Sequence, residues 1–109
     1  MNKTKYKLRY LPIFYDDLYD KLKYIKFNLN NTKAANDLLN EVEEAIKDRL
    51  PFAESFEPYY SMKDRKYPYY RIYVKNYVIY YVVIDDDSLN KIMEVRRFLY
   101  IKQDDSNII

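Results

Sequence analysis

Apolar and polar residues along this chain change period several times, and each change marks an element. Lys5 to Tyr10, KYKLRY, alternates strictly, with Tyr6, Leu8 and Tyr10 on one side and Lys5, Lys7 and Arg9 on the other, the period of a half-buried strand. From Pro12 the period lengthens. Tyr15, Leu18, Leu22, Ile25 and Leu29 recur at steps of three and four, which predicts a helix of about four turns with its stripe packed inward. Pro12 suits the first turn, where its missing N–H is no loss, and Asp16 and Asp17 fall near the positive end of the helix dipole. Asn30, Asn31 and Thr32 interrupt the pattern and offer caps for a second helix, marked by Ala35, Leu38, Leu39, Val42, Ala45, Ile46 and Leu50 and ended or bent by Pro51. The two helices are expected to form a hairpin.

Phe52 to Pro68 keeps no period and holds Pro58 and Pro68, so it reads as a loop with one short turn at most. Tyr69 to Ile84, YYRIYVKNYVIYYVVI, then supplies two β-rich runs across Lys75-Asn76, a hairpin with an asparagine at the position needing left-handed geometry. Asp85-Asp86-Asp87 reads as a solvated turn, Lys91 to Phe98 as a third run, and the polar tail IKQDDSNII as a segment whose last residues fray unless something binds them. Sequential strands tend to pair, so the last three form an antiparallel meander and the first strand joins an edge after the helical hairpin crosses one face. The predicted fold is α+β in two layers, a single domain over residues 1–109 with an N-terminal strand, a helical hairpin and a three-stranded antiparallel meander.

Composition narrows the chemistry. A chain of 109 residues buries roughly 65% of its unfolded surface, enough for a core without staples. The absence of Cys and His removes thiol nucleophiles, disulfides, the usual zinc sites and an imidazole acid or base, so no metal or cofactor is expected. No run of about 18 apolar residues occurs and MNKTKYKLRY is too polar for a signal peptide, so a cytoplasmic protein without a membrane partner is expected. Nineteen Lys and Arg against seventeen Asp and Glu leave a net charge of +2, far from a general nucleic-acid coat protein. The distribution says more: Lys63, Arg65, Lys66, Arg71, Lys75, Arg96, Arg97 and Lys102 lie on or near the sheet, so one face is expected to be positive. With no glycine in the chain, left-handed turn positions are expected at Asn30, Asn31, Asn76 and Asn90.

Five segments follow one another in a telling order: YKLRYLPIFYDDLYDKLKYI, with Pro12, Asp17 and Leu18; NNTKAANDLLNEVEEAI, with its Ala pair; LPFAESFEPYY; the hairpin YYRIYVKNYVIYYVVIDDD; and the basic strand IMEVRRFLYIKQD. Together they resemble the RelE/ParE superfamily of bacterial toxins encoded beside an antitoxin, over nearly the whole chain. The resemblance implies the toxin of a type II toxin–antitoxin (plasmid-stabilising) module that arrests growth, with a cognate antitoxin wrapped over it in the groove between the first helix and the sheet edge. Its target would be ribosome-bound mRNA, cut as RelE-like mRNA interferases do, or alternatively DNA gyrase, bound without cleavage as by ParE-like toxins; a non-toxic member that only binds antitoxin is a third reading. The chain departs from the RelE-like pattern at Gln103, where a Lys-Arg-Asp element has arginine, and at Val78, where such nucleases often carry another.

RNA cleavage through a 2′-hydroxyl needs a proton acceptor, charge stabilisation at the phosphate and a proton donor. Arg71, Arg97 and Lys102 are the candidate cations, with Arg96 as the alternative to Arg97, and Tyr100 is the candidate acid or stacking group. The endoribonuclease is the reading these residues favour, because Arg71, Arg97, Tyr100 and Lys102 are expected to line one surface. Strand alternation predicts that Arg96 and Arg97 face opposite sides, one of them structural. Tyr73, Tyr77, Tyr80 and Tyr81 offer a stacking platform, although sheet tyrosines are more often half-buried packing. The acidic run Asp85 to Asp87 and the Glu41, Glu43 and Glu44 group read as solvated rather than metal-binding.

Overall fold

The strand β1 (Lys5–Tyr10) alternates exposed and half-buried positions, as its sequence demands, and Leu11 hands the chain to α1 (Pro12–Lys23) with the proline in the opening turn. The computed structural model describes residues 5–60, 63, 66–87 and 90–109. Arg65, one of the expected surface cations, and the first four residues of the polar N-terminus lie outside the described residues. The inward stripe of α1 runs through Phe14, Leu18, Leu22 and Ile25, not through Tyr15, which is exposed. A single wide turn over Tyr24–Asn28 continues the helix, and beyond it Leu29 faces solvent. The acids expected at the start of α1 lie beyond its first turn, and Asp17 has a tertiary task instead.

Asn30 turns the chain at φ 52°, Asn31 caps the next helix by accepting the Ala34 amide at 3.0 Å, and α2 (Thr32–Arg49) follows with Ala35, Leu38, Val42 and Ile46 buried. Pro51 sits in a tight turn over Leu50–Phe52, which ends α2 as its ring requires. The remaining strands are β2 (Tyr70–Val74), β3 (Tyr77–Asp87) and β4 (Asn90–Tyr100), in one sheet of order β1-β4-β3-β2. β1 runs parallel to β4, and β2, β3 and β4 form the expected antiparallel meander. This is the predicted α+β fold, with the first strand on the β4 edge.

Both helices pack on one face of the sheet, where Phe14, Leu18, Leu38, Val42 and Ile46 meet Ile72, Ile79, Tyr81, Val83, Met93, Val95 and Phe98. The opposite face is not bare. Tyr69, Val78, Tyr80, Val82, Ile84 and Leu99 form a second buried cluster there, closed by Ile109. The tail meets the condition that keeps it from fraying, because Ile109 fills an apolar gap in this cluster.

Three further local expectations are corrected. β3 continues through Asp87, which pairs with Asn90 past an irregularity after Ile84, so the acidic run ends a strand. At the β2–β3 hairpin Lys75 rather than Asn76 takes the left-handed backbone, with φ 52°, and Asn90 does not take it at all. Lastly, β4 carries a bulge opposite Tyr80 and Tyr81. Val95 and Phe98, three residues apart, both reach the helix-side core, so Arg96 and Arg97 between them are both off that face and strict alternation fails.

Candidate functional site

In register, Arg71 of β2 lies beside Tyr80 of β3, and Tyr80 lies beside Arg97 of β4, so two arginines flank one tyrosine on the helix-free face. The three strands bring them together, but their partners differ. Arg97 donates from Nε to Asp17 Oδ2 at 2.7 Å and from Nη2 to Asp17 Oδ1 at 2.9 Å, a two-pronged ion pair. The same carboxylate accepts the Phe98 amide at 3.0 Å. The cause is local: β1 covers β4 only as far as Val95, and Asp17 from α1 satisfies the strand edge beyond it.

Arg96 is also engaged. It donates to Glu94 Oε1 at 2.8 Å, and Arg9 of β1 donates from Nε to Glu94 Oε2 at 2.6 Å with a second contact through Nη2. Glu94 is buried, and two guanidinium groups compensate its charge. Burial works against the Arg96 charge, yet the Tyr69 and Glu94 contacts outweigh it and hold its pKa above the usual arginine value.

Arg71 is different: its guanidinium lies 4.2 Å from the Tyr59 ring and 5.8 Å from the Tyr73 ring, and among the described residues it has no acidic partner. Its main-chain carbonyl accepts Arg49 Nη1 at 3.2 Å. Tyr80 donates its hydroxyl to Asp105 Oδ2 at 2.5 Å. Burial raises the Tyr80 pKa well above the ordinary phenol value, the Asp105 hydrogen bond adds to this, and the Arg71 charge opposes it only in part.

The other two expected site residues lie apart from this group. Tyr100 is opposite Tyr77, whose ring stacks at 4.9 Å on Phe98 of the helix-side core, so Tyr100 belongs to the helix side of the sheet. Lys102 is exposed in the turn after β4. Lys75, another expected member of the positive face, reaches Glu41 of α2 at 3.6 Å. Of the tyrosines proposed as a platform, Tyr80 and Tyr81 are buried and only Tyr73 offers an open ring.

Sequence reasoning missed Asp17, Glu94, Arg49 and Asp105. Glu94 left a signal, a carboxylate between Met93 and Val95 in an apolar run, which in a folded sheet demands a cationic partner. Arg49 left none: it stacks 3.5 Å from the Phe56 ring and donates to the buried Tyr81 hydroxyl at 2.9 Å, contacts that only the chain path creates. Among the described residues no group of three or more Asp, Glu, His or Cys is placed to hold a metal. Nor is any helix among them long and apolar enough to cross a membrane.

A second surface lies on the helical side. A groove of ≈ 390 Å³ runs between α1, α2 and β1, lined by Leu8, Tyr10, Tyr15, Tyr19 and Leu39 among others. Through Tyr19 and Leu39 it meets a further hollow of ≈ 270 Å³ bordered by Lys23, Lys26 and Phe27. Exposed aromatic rings with lysines at the rim suit an amphipathic, acidic segment of another protein.

Against known families, residues 8–98 match a family model described as the ParE toxin of the type II toxin–antitoxin system, parDE. No match was found among curated proteins.

Proposed function

Because the chain belongs to the ParE toxin family of type II toxin–antitoxin systems, we propose that it arrests growth by binding its target without cutting a bond, and that the target is DNA gyrase. One observation carries this reading: Arg97 is already neutralised by Asp17, with both carboxylate oxygens engaged. A guanidinium that must stabilise a pentavalent phosphate has to be available when charge develops, and this one is taken. Tyr100 lies on the other side of the sheet, and Tyr80 donates its hydroxyl proton to Asp105, so among the described residues no poised acid or base stands beside Arg71. A binding surface needs none.

The cognate antitoxin fits the apolar groove between α1, α2 and β1, where Tyr15 and Tyr19 provide rings and Lys23 and Lys26 provide charge. The RelE-like reading, mRNA cleavage on the ribosome, keeps one supporting observation, the Arg71 guanidinium between Tyr59 and Tyr73, which has no acidic partner among the described residues. Purified chain added separately to a gyrase supercoiling reaction and to a translating ribosome system distinguishes the two. Loss of supercoiling with intact message is expected. Cleaved message with full gyrase activity would refute the binding reading.

A further inference from the structure

Beyond β4 the chain runs through Ile101 to Ile109 without a regular strand or helix, a composition that by itself predicts a loose end. It is instead drawn across the helix-free face. The Ile101 amide donates to the Asn76 carbonyl at 2.8 Å, Asp105 takes the Tyr80 hydroxyl at 2.5 Å, and Lys63 Nζ donates to the Asn107 carbonyl at 2.5 Å. The Ile108 and Ile109 amides then close on the Asp105 carbonyl at 2.9 and 2.8 Å, one turn that aims Ile109 at Val78, Val82, Ile84 and Leu99. Ile109 is only 1% exposed.

Lys63 and Ile109 make contacts beyond these, and the segment is held at points rather than along a ladder. Among the described residues the segment shares no strand ladder with the sheet, whereas β3 is paired on both sides. Segments held this way open separately from the fold that carries them. What lies beneath is the phenol flanked in register by Arg71 and Arg97. A carboxylate followed four residues later by a buried isoleucine is thus seated where the sheet offers one hydroxyl, nearby positive charge and an apolar gap.

We propose that residues 104–109 are a detachable strap, and that its Asp105 carboxylate and Ile109 side chain occupy the place of an acidic, apolar-tipped peptide segment of the protein target. Closed, the strap shields Tyr80 and its surroundings; open, it frees that face. The opening stands on the geometry alone, whereas its effect on potency rests on the binding reading above.

Hydrogen exchange on the full chain tests the opening. The Ile108 and Ile109 amides are expected to exchange about a hundredfold faster than the β3 amides. Asp105→Asn, which removes the charge from the bond to Tyr80, is expected to accelerate them about fivefold more and leave β3 unchanged. Ile109→Asp is expected to raise hydroxyl-radical labelling of Tyr69 and Leu99 several-fold. Tail amides that exchange at the β3 rate, or labelling that does not change, would overturn the strap. In cells, Asp105→Asn is expected to arrest growth at about one-fifth of the inducer needed by the parent chain, the same fivefold opening read as potency. Equal potency despite faster tail exchange would overturn the blocking role. If neither chain arrests growth while the exchange pattern holds, the binding-toxin reading falls and the opening stands.

Discussion

Asp17 holds two elements together with one carboxylate, accepting from Arg97 and from the Phe98 amide in a largely buried position. Removing one member of such a pair strands the other, so Asp17→Ala and Arg97→Ala are each expected to cost about 3 kcal/mol in urea unfolding. Among the described residues the Arg71 guanidinium is held by ring contacts alone, and Arg71→Ala is expected to cost about 1 kcal/mol or less. A growth-arrest assay on Arg97→Ala thus reports folding first, whereas the same assay on Arg71→Ala reports the surface. Tyrosines give the chain a distinct response to alkali. Burial pushes the Tyr6 phenol up from 10.0 to about 12, helped by its bond to Glu54, and burial likewise raises Tyr10, Tyr70, Tyr77, Tyr80 and Tyr81. The folded state keeps these protons after the unfolded chain has lost them, so stability is full below about pH 10 and falls as pH rises through about 12. Absorbance at 295 nm should show part of the tyrosines titrating late in the native protein and all of them near pH 10 in urea.

Helix caps and turns translate sequence into element boundaries with little outside help. Asn31→Ala removes the acceptor of the Ala34 amide and is expected to lower stability by about 1 kcal/mol, read from the thermal midpoint. Lys75 occupies a left-handed position that strains a residue with a β-carbon, at a cost of roughly 1 kcal/mol. Lys75→Asn should recover about half of that, because the Glu41 contact it gives up is half-exposed and weak, whereas Lys75→Val should lose about a further 1 kcal/mol. The two helices, the hairpin and the first strand were legible in the apolar periods, since each period is what burying one side of a helix or strand demands, whereas the edge that the first strand joins was not. Nor was the β4 bulge. Two consecutive arginines look like opposite faces until β3 supplies a register in which Val95 and Phe98 both point inward.

At the scale of the molecule, a four-stranded sheet buried on both faces separates two surfaces with different chemistry. The helical side carries the apolar groove where the antitoxin is proposed to dock, and Tyr19, half exposed at the junction of its two hollows, tests that proposal. Tyr19→Asp is expected to change stability by no more than about 0.5 kcal/mol while weakening rescue by a co-expressed antitoxin. Undiminished rescue, with growth arrest retained, would move the antitoxin off this groove. The helix-free side carries Arg71, the paired Arg96 and the tail over Tyr80, while the Arg97 guanidinium turns to Asp17 of α1. Of the four expected site residues, Arg71 and Arg97 lie in register across β3, Tyr100 falls on the helix side, and Lys102 stands in the turn beyond.

Local pattern by itself determined the order of elements, the faces that α2 and β1 bury, the caps and the antiparallel meander, because each depends on neighbours within a few residues. It also carried the family resemblance, which rests on that order together with particular residues such as Pro12, Asp17 and Leu18. Tertiary structure decided which charges are free. The pair between Arg97 and Asp17 joins residues 80 positions apart, that between Arg9 and Glu94 joins residues 85 apart, and the bond from Tyr80 to Asp105 closes a tail over a sheet. A charge costs much less when an opposite one meets it out of water, and that meeting is set by the path of the whole chain, which periodicity along the sequence does not encode.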